Sequence, residues 1–308
     1  MFDRLKQQLI QRLDLPRIAG RADAAADAAV HLERAIERID RTDAEFAAAT
    51  TSQLDALGHR LEELQRWVRI EQATAWAETA PLTTRPLISV VMPTRDRADR
   101  LGEAIASVEA QTYQDWQLVV VDDGSTDSTA SLLADRSTAD GRILVATTTG
   151  IGAAAARNVG LDAATGDWVA FLDDDNIMQP GWLRAIAEYA GRAPDCQALF
   201  GAQLRDDVAD DARVPWVLFD EHHTIERLRL DNSIDLGVLA VRRGHPQLHF
   251  DETLTIYIDW EMIVRIVEDT PVHPLPVLAS TYTSGAASRI SQQHGDETLA
   301  AMRLRLAP

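Results

Sequence analysis

Residues 87–124 read LISVVMPTRDRADRLGEAIASVEAQTYQDWQLVVVDDG, and their periodicity decides the fold. Leu87 to Met92 is a short apolar run, interrupted only by Ser89 and ended by Pro93, as expected of a strand covered on both faces. Leu101, Ile105 and Val108 then recur at helical spacing across residues 98–110, and Trp116 to Val121 is a second buried-strand run closed by a turn. The alternation continues outward. A helix is expected near residues 128–135, strands at Ile143–Ala146 and Trp168–Leu172, and an alanine-rich helix at about Ala153–Ala164 between them. Strand and helix alternating at this spacing predict an α/β protein with a mostly parallel sheet flanked by helices.

Composition narrows the chemistry. The chain has 308 residues, 46% of them hydrophobic and 25% charged, which is the usage of an ordinary globular protein. Its formal net charge of −18 argues against nucleic acid as the main partner, because phosphate backbones are bound through a basic footprint. Cys196 is the only cysteine, so no intramolecular disulfide or cysteine zinc cluster can form, and a buried thiol is expected. Lys6 is the only lysine. A Walker-type phosphate loop, a pyridoxal Schiff base and lysine-assisted nucleotidyl transfer all need an amine that the body of this chain lacks. Without a long apolar run or a signal-peptide h-region, the chain is expected to be soluble and cytoplasmic.

In open α/β sheets, ligands bind beyond the carboxyl ends of the strands, so the polar residues after each apolar run are the candidates. The first strand ends in Pro93-Thr94-Arg95-Asp96-Arg97, the second in Asp122-Asp123-Gly124-Ser125, and the fourth in Asp173-Asp174-Asp175-Asn176. Each alone has a plain structural role as a turn, a helix cap or a solvated acidic stretch. Several carboxylate clusters on one sheet edge repel one another unless a cation neutralises them. Asp173 and Asp175 are two apart, so in extended backbone they leave the same face and can converge on one ion. Oxygen ligands with no Cys or His nearby suggest Mg²⁺ or Mn²⁺, with substrate phosphates completing the shell.

The run ISVVMPTRDRADRLGEAIASVEAQTYQDWQLVVVDDGSTDST, followed by GIGAAAARNVGLDAATGDWVAFLDDDN, resembles the nucleotide-binding half of family 2 glycosyltransferases over about 100 contiguous residues. The fold this implies is GT-A, a Rossmann-like, mostly parallel sheet, here with an N-terminal helical or coiled-coil extension. The resemblance implies that Pro93, Thr94, Arg95 and Asp96 line a nucleoside pocket and that Asp123 hydrogen-bonds the base. Asp122 is left as a turn residue. Arg157 and Asn158 would lie beside the nucleotide, with Arg157 able to bind phosphate, and Gly150 and Gly152 would admit backbone to it. By similarity to the family's D-x-D arrangement, Asp175 is a metal ligand, Asp173 contacts ribose or metal, and Asp174 belongs to the same nucleotide-sugar site.

Further on, FDETLTIYIDWEMIVRI resembles the family's later pattern, an acidic pair before a Trp and a helix. Ile258 stands where the family usually has glutamate, and Asp259 remains. The resemblance makes Asp259 the general base of an inverting, non-processive, metal-dependent transferase that uses a nucleoside diphosphate sugar and a saccharide or lipid-linked acceptor. Helix capping is the alternative role for Asp259. Two other functions stand beside transfer: a non-catalytic scaffold acting through the N-terminal helix, and a nucleotidyltransferase, which the near absence of lysine opposes. Ser288, Arg289 and His294 are further candidates in a serine-rich stretch resembling the tail that follows the base in family members.

Residues 1–80 read as a helical region. Leu54, Leu57, Leu61, Leu64 and Val68 are spaced 3-4-3-4, the pattern either of a coiled coil that pairs two copies or of an amphipathic helix packed on its own catalytic body. Phe2, Leu5, Leu9 and Leu13, flanked by basic residues, form a face suited to peripheral contact with a membrane. Prolines and threonines at 79–86 suggest a linker, residues 86–290 the transferase domain, and residues 291–308 a C-terminal helical tail.

Overall fold

Leu118, Val119, Val120 and Val121 are all fully shielded from solvent, which consecutive strand residues achieve only when both faces of their sheet are covered. The computed structural model describes residues 22–206, 208–209, 212–213, 216–283 and 296–307. Phe2, Leu5, Leu9, Leu13, Ser288, Arg289 and His294 lie outside the described residues.

In chain order the elements are α1 (Ala22–Thr79), β1 (Ile88–Thr94), α2 (Leu101–Glu109), β2 (Trp116–Asp122), α3 (Thr129–Ala139), β3 (Ile143–Thr147), α4 (Ala153–Ala163) and β4 (Trp168–Phe171). Then come β5 (Ile177–Met178), α5 (Trp182–Arg192), β6 (Ala198–Asp206), β7 (Val208–Ala209), β8 (Ala212–Arg213), β9 (Trp216–Leu218) and α6 (Ile225–Leu228). The last are β10 (Leu239–Arg242), α7 (Ile258–Asp269), β11 (Val272–Thr283) and α8 (Asp296–Arg305).

The main sheet has the order β3-β2-β1-β4-β10-β6-β11-β5, with β9 on β6. Parallel pairing runs through β3, β2, β1 and β4 as the periodicity implies, and recurs between β6 and β11. Strand β10 is antiparallel to both its neighbours. In the parallel half, Thr94 pairs with Asp122 and Asp122 with Thr147, so the first two strand ends and their polar tails meet on one edge.

Helix α4 lies directly on β1 and β2 because Gly160 leaves room for it. A Cβ at Gly160 would come within 2.5 Å of Val91 Cγ1 and 3.2 Å of Val121 Cγ2. Gly160→Ala is expected to destabilise the protein by about 1–2 kcal/mol, overpacking outweighing the gain of about 1 kcal/mol in helix propensity. Thermal unfolding checks this as a fall of several degrees. Cys196 is buried as expected, and burial pushes its thiol pKa up.

The chain divides into two units, Met1–Gln65 and Arg66–Pro308, and the division falls inside α1 rather than at the 79–86 segment. The reason is that the last turns of α1 are built into the second unit. Ile70 and Ala77 are buried, Thr74 Oγ1 accepts the Leu278 N–H at 3.1 Å, and Arg184 donates to the carbonyls of Ala77 and Ala80, so C-terminal orphan acceptors are satisfied. In the first unit, Leu54, Leu57, Leu61 and Leu64 are 55–63% exposed. Among the described residues, no helix is long and apolar enough to cross a membrane.

Candidate active site

The carboxyl ends of β1, β2 and β4 open into a cleft of about 700 Å³. Pro93, Thr94, Arg95, Asp123, Arg157 and the Asp173–Asp175 triplet line it, together with Asp259 from the start of α7. Residues more than 150 positions apart in the chain thus share one cavity.

Each is held by local structure. Thr94 Oγ1 donates to Asp174 Oδ2 at 2.7 Å, tying the end of β1 to the acidic turn. The backbone turns at Asp174–Asp175 and is closed by the Asn176 N–H on the Asp173 carbonyl at 3.1 Å. A turn, rather than the extended backbone expected for this segment, therefore delivers the three carboxylates. Burial, with the charges of Asp173 and Asp175, pushes the Asp174 pKa up to about 6. Arg157 Nη2 donates to Asp173 Oδ1 at 2.7 Å, while its Nε is buried with no hydrogen-bond partner among the described residues.

Asp123 organises the loop opposite. Its Oδ1 accepts the Thr148 hydroxyl and the N–H groups of Gly150 (3.1 Å) and Ile151 (2.7 Å), and its Oδ2 accepts Gly152 N–H at 2.8 Å. Burial opposes ionisation of Asp123, but these hydrogen bonds outweigh it and hold the pKa below the ordinary carboxylate value. Gly150 and Gly152 sit at φ of 84° and 95°, the left-handed conformations that let successive N–H groups converge. Asp123→Ala is expected to release this loop and, in the nucleoside pocket that the resemblance implies, to weaken binding of a nucleoside diphosphate about tenfold or more, measured by calorimetry. Asp122 turns the chain by accepting the Ser125 N–H, as anticipated.

Two candidates stand apart from the cavity. Asp96 does not line it: at φ 51° its carboxylate accepts the Thr126 N–H at 2.7 Å, and its own N–H binds Ser125, stitching the loop after β1 to the loop after β2. Asn158 is buried and exchanges hydrogen bonds with Phe250 while donating to Glu252, which pins the 249–252 loop to α4.

Asp259 stands in the first turn of α7, after Tyr257, whose left-handed φ of 53° starts the helix without a side-chain cap. Burial raises the Asp259 pKa above the ordinary carboxylate value; Arg157 and the Trp260 N–H oppose the shift, and Asp173 adds to it. It thus supports the helix start and faces the cleft at once.

A profile of the family described as Glycosyl transferase family 2 matches residues 89–239. This chain carries a family 2 glycosyltransferase domain. Succinoglycan biosynthesis protein ExoO of Rhizobium meliloti is 33% identical over 205 residues, covering 58% of this chain and 55% of ExoO. Three other curated relatives are matched over only 38%, 32% and 42% of their own lengths. In fold, the domain is similar to S. aureus TarS in complex with UDP-GlcNAc, at a TM-score of 0.60 and 20% identity over 71% of this chain and 65% of that one. It is also similar to the mannosyltransferase PcManGT from Pyrobaculum calidifontis in complex with GDP-Man and Mn²⁺, at 0.51 and 18% over 72% and 66%.

The structure brings in cleft residues that sequence reasoning missed. Asp235, Arg205, Tyr257 and Tyr282 all line the cavity. Asp235 accepts Gly237 N–H at 2.8 Å and faces Arg205 Nη2 at 3.3 Å. Burial and the charge of Asp173, opposed by Arg205, push its pKa up to about 6. The only signal in the sequence was an Asp preceding the apolar run Leu236–Val241, which reads as a cap.

Proposed function

We propose that the protein is an inverting glycosyltransferase that moves a sugar from a nucleoside diphosphate sugar to an acceptor hydroxyl, with Asp259 as general base. The observation that carries this reading is that Asp259 and the Asp173–Asp175 turn line one cavity. The complexes of the fold neighbours with UDP-GlcNAc and GDP-Man support a nucleotide sugar as donor.

The donor set fits a hard divalent ion, Mn²⁺ or Mg²⁺. Three crowded carboxylates, one with its pKa raised chiefly by burial and further by the charges of the other two, leave negative charge for a cation to offset. Among the described residues no group of three or more His, Cys, Asp or Glu is placed to hold a metal ion by itself, so substrate oxygens would have to complete the shell. Asp175 and Asp173 would hold the ion, which supplies neutralisation of the leaving diphosphate when bound.

The chain's own residues do the rest. Pro93, Thr94 and Arg95 frame the nucleoside, and Asp123 shapes the loop beside it. The buried Nε of Arg157 is a donor left for a phosphate oxygen. Asp259 takes the proton of the acceptor hydroxyl as that oxygen attacks the anomeric carbon, and the nucleoside diphosphate leaves from the opposite face. Configuration inverts because there is one displacement. Holding the two substrates in line in one cleft removes much of the entropic barrier.

A panel of nucleotide sugars with Mn²⁺, read by thermal shift and by release of nucleoside diphosphate, tests this. One donor is expected to raise the melting temperature and yield nucleoside diphosphate. Release of pyrophosphate instead, from a nucleoside triphosphate, contradicts the reading.

A further inference from the structure

Beyond the acidic turn and Asp259, the cleft has a second wall that includes Asp231, Asp235, Arg205, Tyr257 and Tyr282. Its head groups are fixed before any ligand arrives. Arg205 lies over the Tyr282 ring at 4.7 Å, its Nε donates to Gln203 Oε1 at 2.8 Å, and its Nη2 faces Asp235 Oδ2. Asp235 is held from behind by the Gly237 N–H. Tyr257 is kept in a left-handed conformation, disfavoured for a side chain of its size, with its ring edge-on to Trp260 at 5.6 Å and two residues from Asp259.

We infer that this wall is the acceptor subsite and that it takes the uncharged pyranose end of a saccharide. The inference rests on the transfer reading above and names the acceptor that the same cleft selects. A carboxylate beside a guanidinium offers an acceptor and donors side by side, which matches two neighbouring hydroxyls, each able to give and take a hydrogen bond. Tyrosine rings present an apolar face with a polar tip, suited to the C–H face of a sugar. Asp231 and Asp235 on this wall, with Asp259 and the Asp173–Asp175 turn in the same cavity, outnumber Arg205 and Arg157 and repel a phosphate or carboxylate carried next to the attacked hydroxyl. Asp235 lines the same cavity as Asp173 and Asp259. The wall therefore belongs beside the bond being formed.

The experiment uses the full chain, Mn²⁺ and the donor that gives the largest thermal shift. Release of nucleoside diphosphate is measured with methyl glucoside and methyl galactoside as acceptors, and with their 6-phosphates and methyl glucuronide. Neutral glycosides are expected to exceed the charged ones by about tenfold or more in kcat/KM. Asp235→Asn, which keeps the acceptor for Gly237 N–H, is expected to raise the acceptor KM about tenfold and to narrow the neutral-to-charged ratio by a similar factor. Tyr282→Leu, a second variant that leaves the carboxylates in place, is expected to raise the acceptor KM without changing that ratio. Equal or greater stimulation by the charged glycosides, none by the neutral ones, or an Asp235→Asn effect on donor KM alone overturns the assignment. Failure of the wild-type protein to release nucleoside diphosphate from any donor is a separate result, which removes the transfer reading and this subsite with it.

Discussion

Replacing Asp259 by Asn is expected to lower kcat by about 10²–10⁴-fold, the range a positioned general base contributes. The amide keeps the shape and can still accept the Trp260 N–H, but it cannot take a proton from the acceptor. Steady-state release of nucleoside diphosphate checks this, with donor binding measured alongside. A role limited to supporting the start of α7, or a scaffold function, predicts unchanged turnover.

The same residue sets a pH signature. Asp259 has a folded pKa above its ordinary value, chiefly through burial, so the fold favours its protonated form. Activity needs the ionised form, and kcat/KM is therefore expected to fall on the acid side through this raised pKa, with that limb absent from Asp259→Asn. Stability runs the other way. A carboxylate whose folded pKa is raised contributes most when pH lies below the unfolded pKa, and this contribution is lost as pH rises through the folded pKa. Asp259→Asn at neutral pH should consequently be as stable as the wild type or more so. A variant that is stable and inactive separates chemistry from folding.

Asp175→Ala is expected to reduce turnover by about 100- to 1000-fold, and chelation of divalent ions to reduce wild-type turnover similarly, since a cation on a leaving diphosphate is worth several kcal/mol. The check is a titration of activity with Mn²⁺ and Mg²⁺ for both proteins. The wild type should recover fully, and the variant should require far more metal or fail to recover. Wild-type activity that survives exhaustive chelation contradicts the assignment. Asp174 should behave differently, because its carboxylate is already engaged by Thr94. Its replacement disturbs the join between β1 and the acidic turn before it disturbs metal affinity.

The sheet was legible because its central strands are covered on both faces, so that Leu87–Met92 and Trp116–Val121 stand out as apolar runs interrupted only by Ser89 and Gln117. The rule that ligands bind beyond the strand ends singled out Asp173–Asp175 and Asp123, which line the cavity. Their detailed roles were not legible. Whether Asp96 faces a ligand or Thr126 depends on a single left-handed residue, and local sequence does not specify that turn. Asn158 looked like a nucleotide contact because the run around it resembles the family's, but the loop it anchors lies some 90 residues further on. The Asp235–Arg205 pair was invisible for the same reason: β6 and the turn before β10 meet only through sheet pairing, and each residue alone reads as a cap or a surface charge. The division of the chain inside α1 escaped notice because a continuous helical pattern does not reveal which of its turns are buried.

The most direct measurement is the anomalous scattering of Mn²⁺ in crystals grown with a nucleoside diphosphate. The account predicts one strong peak bound by Asp175 and diphosphate oxygens, with the base beside the loop that Asp123 holds and Asp259 across the same cavity. A nucleotide bound elsewhere on the molecule, or bound in this cleft with the manganese peak away from the Asp173–Asp175 turn, contradicts it.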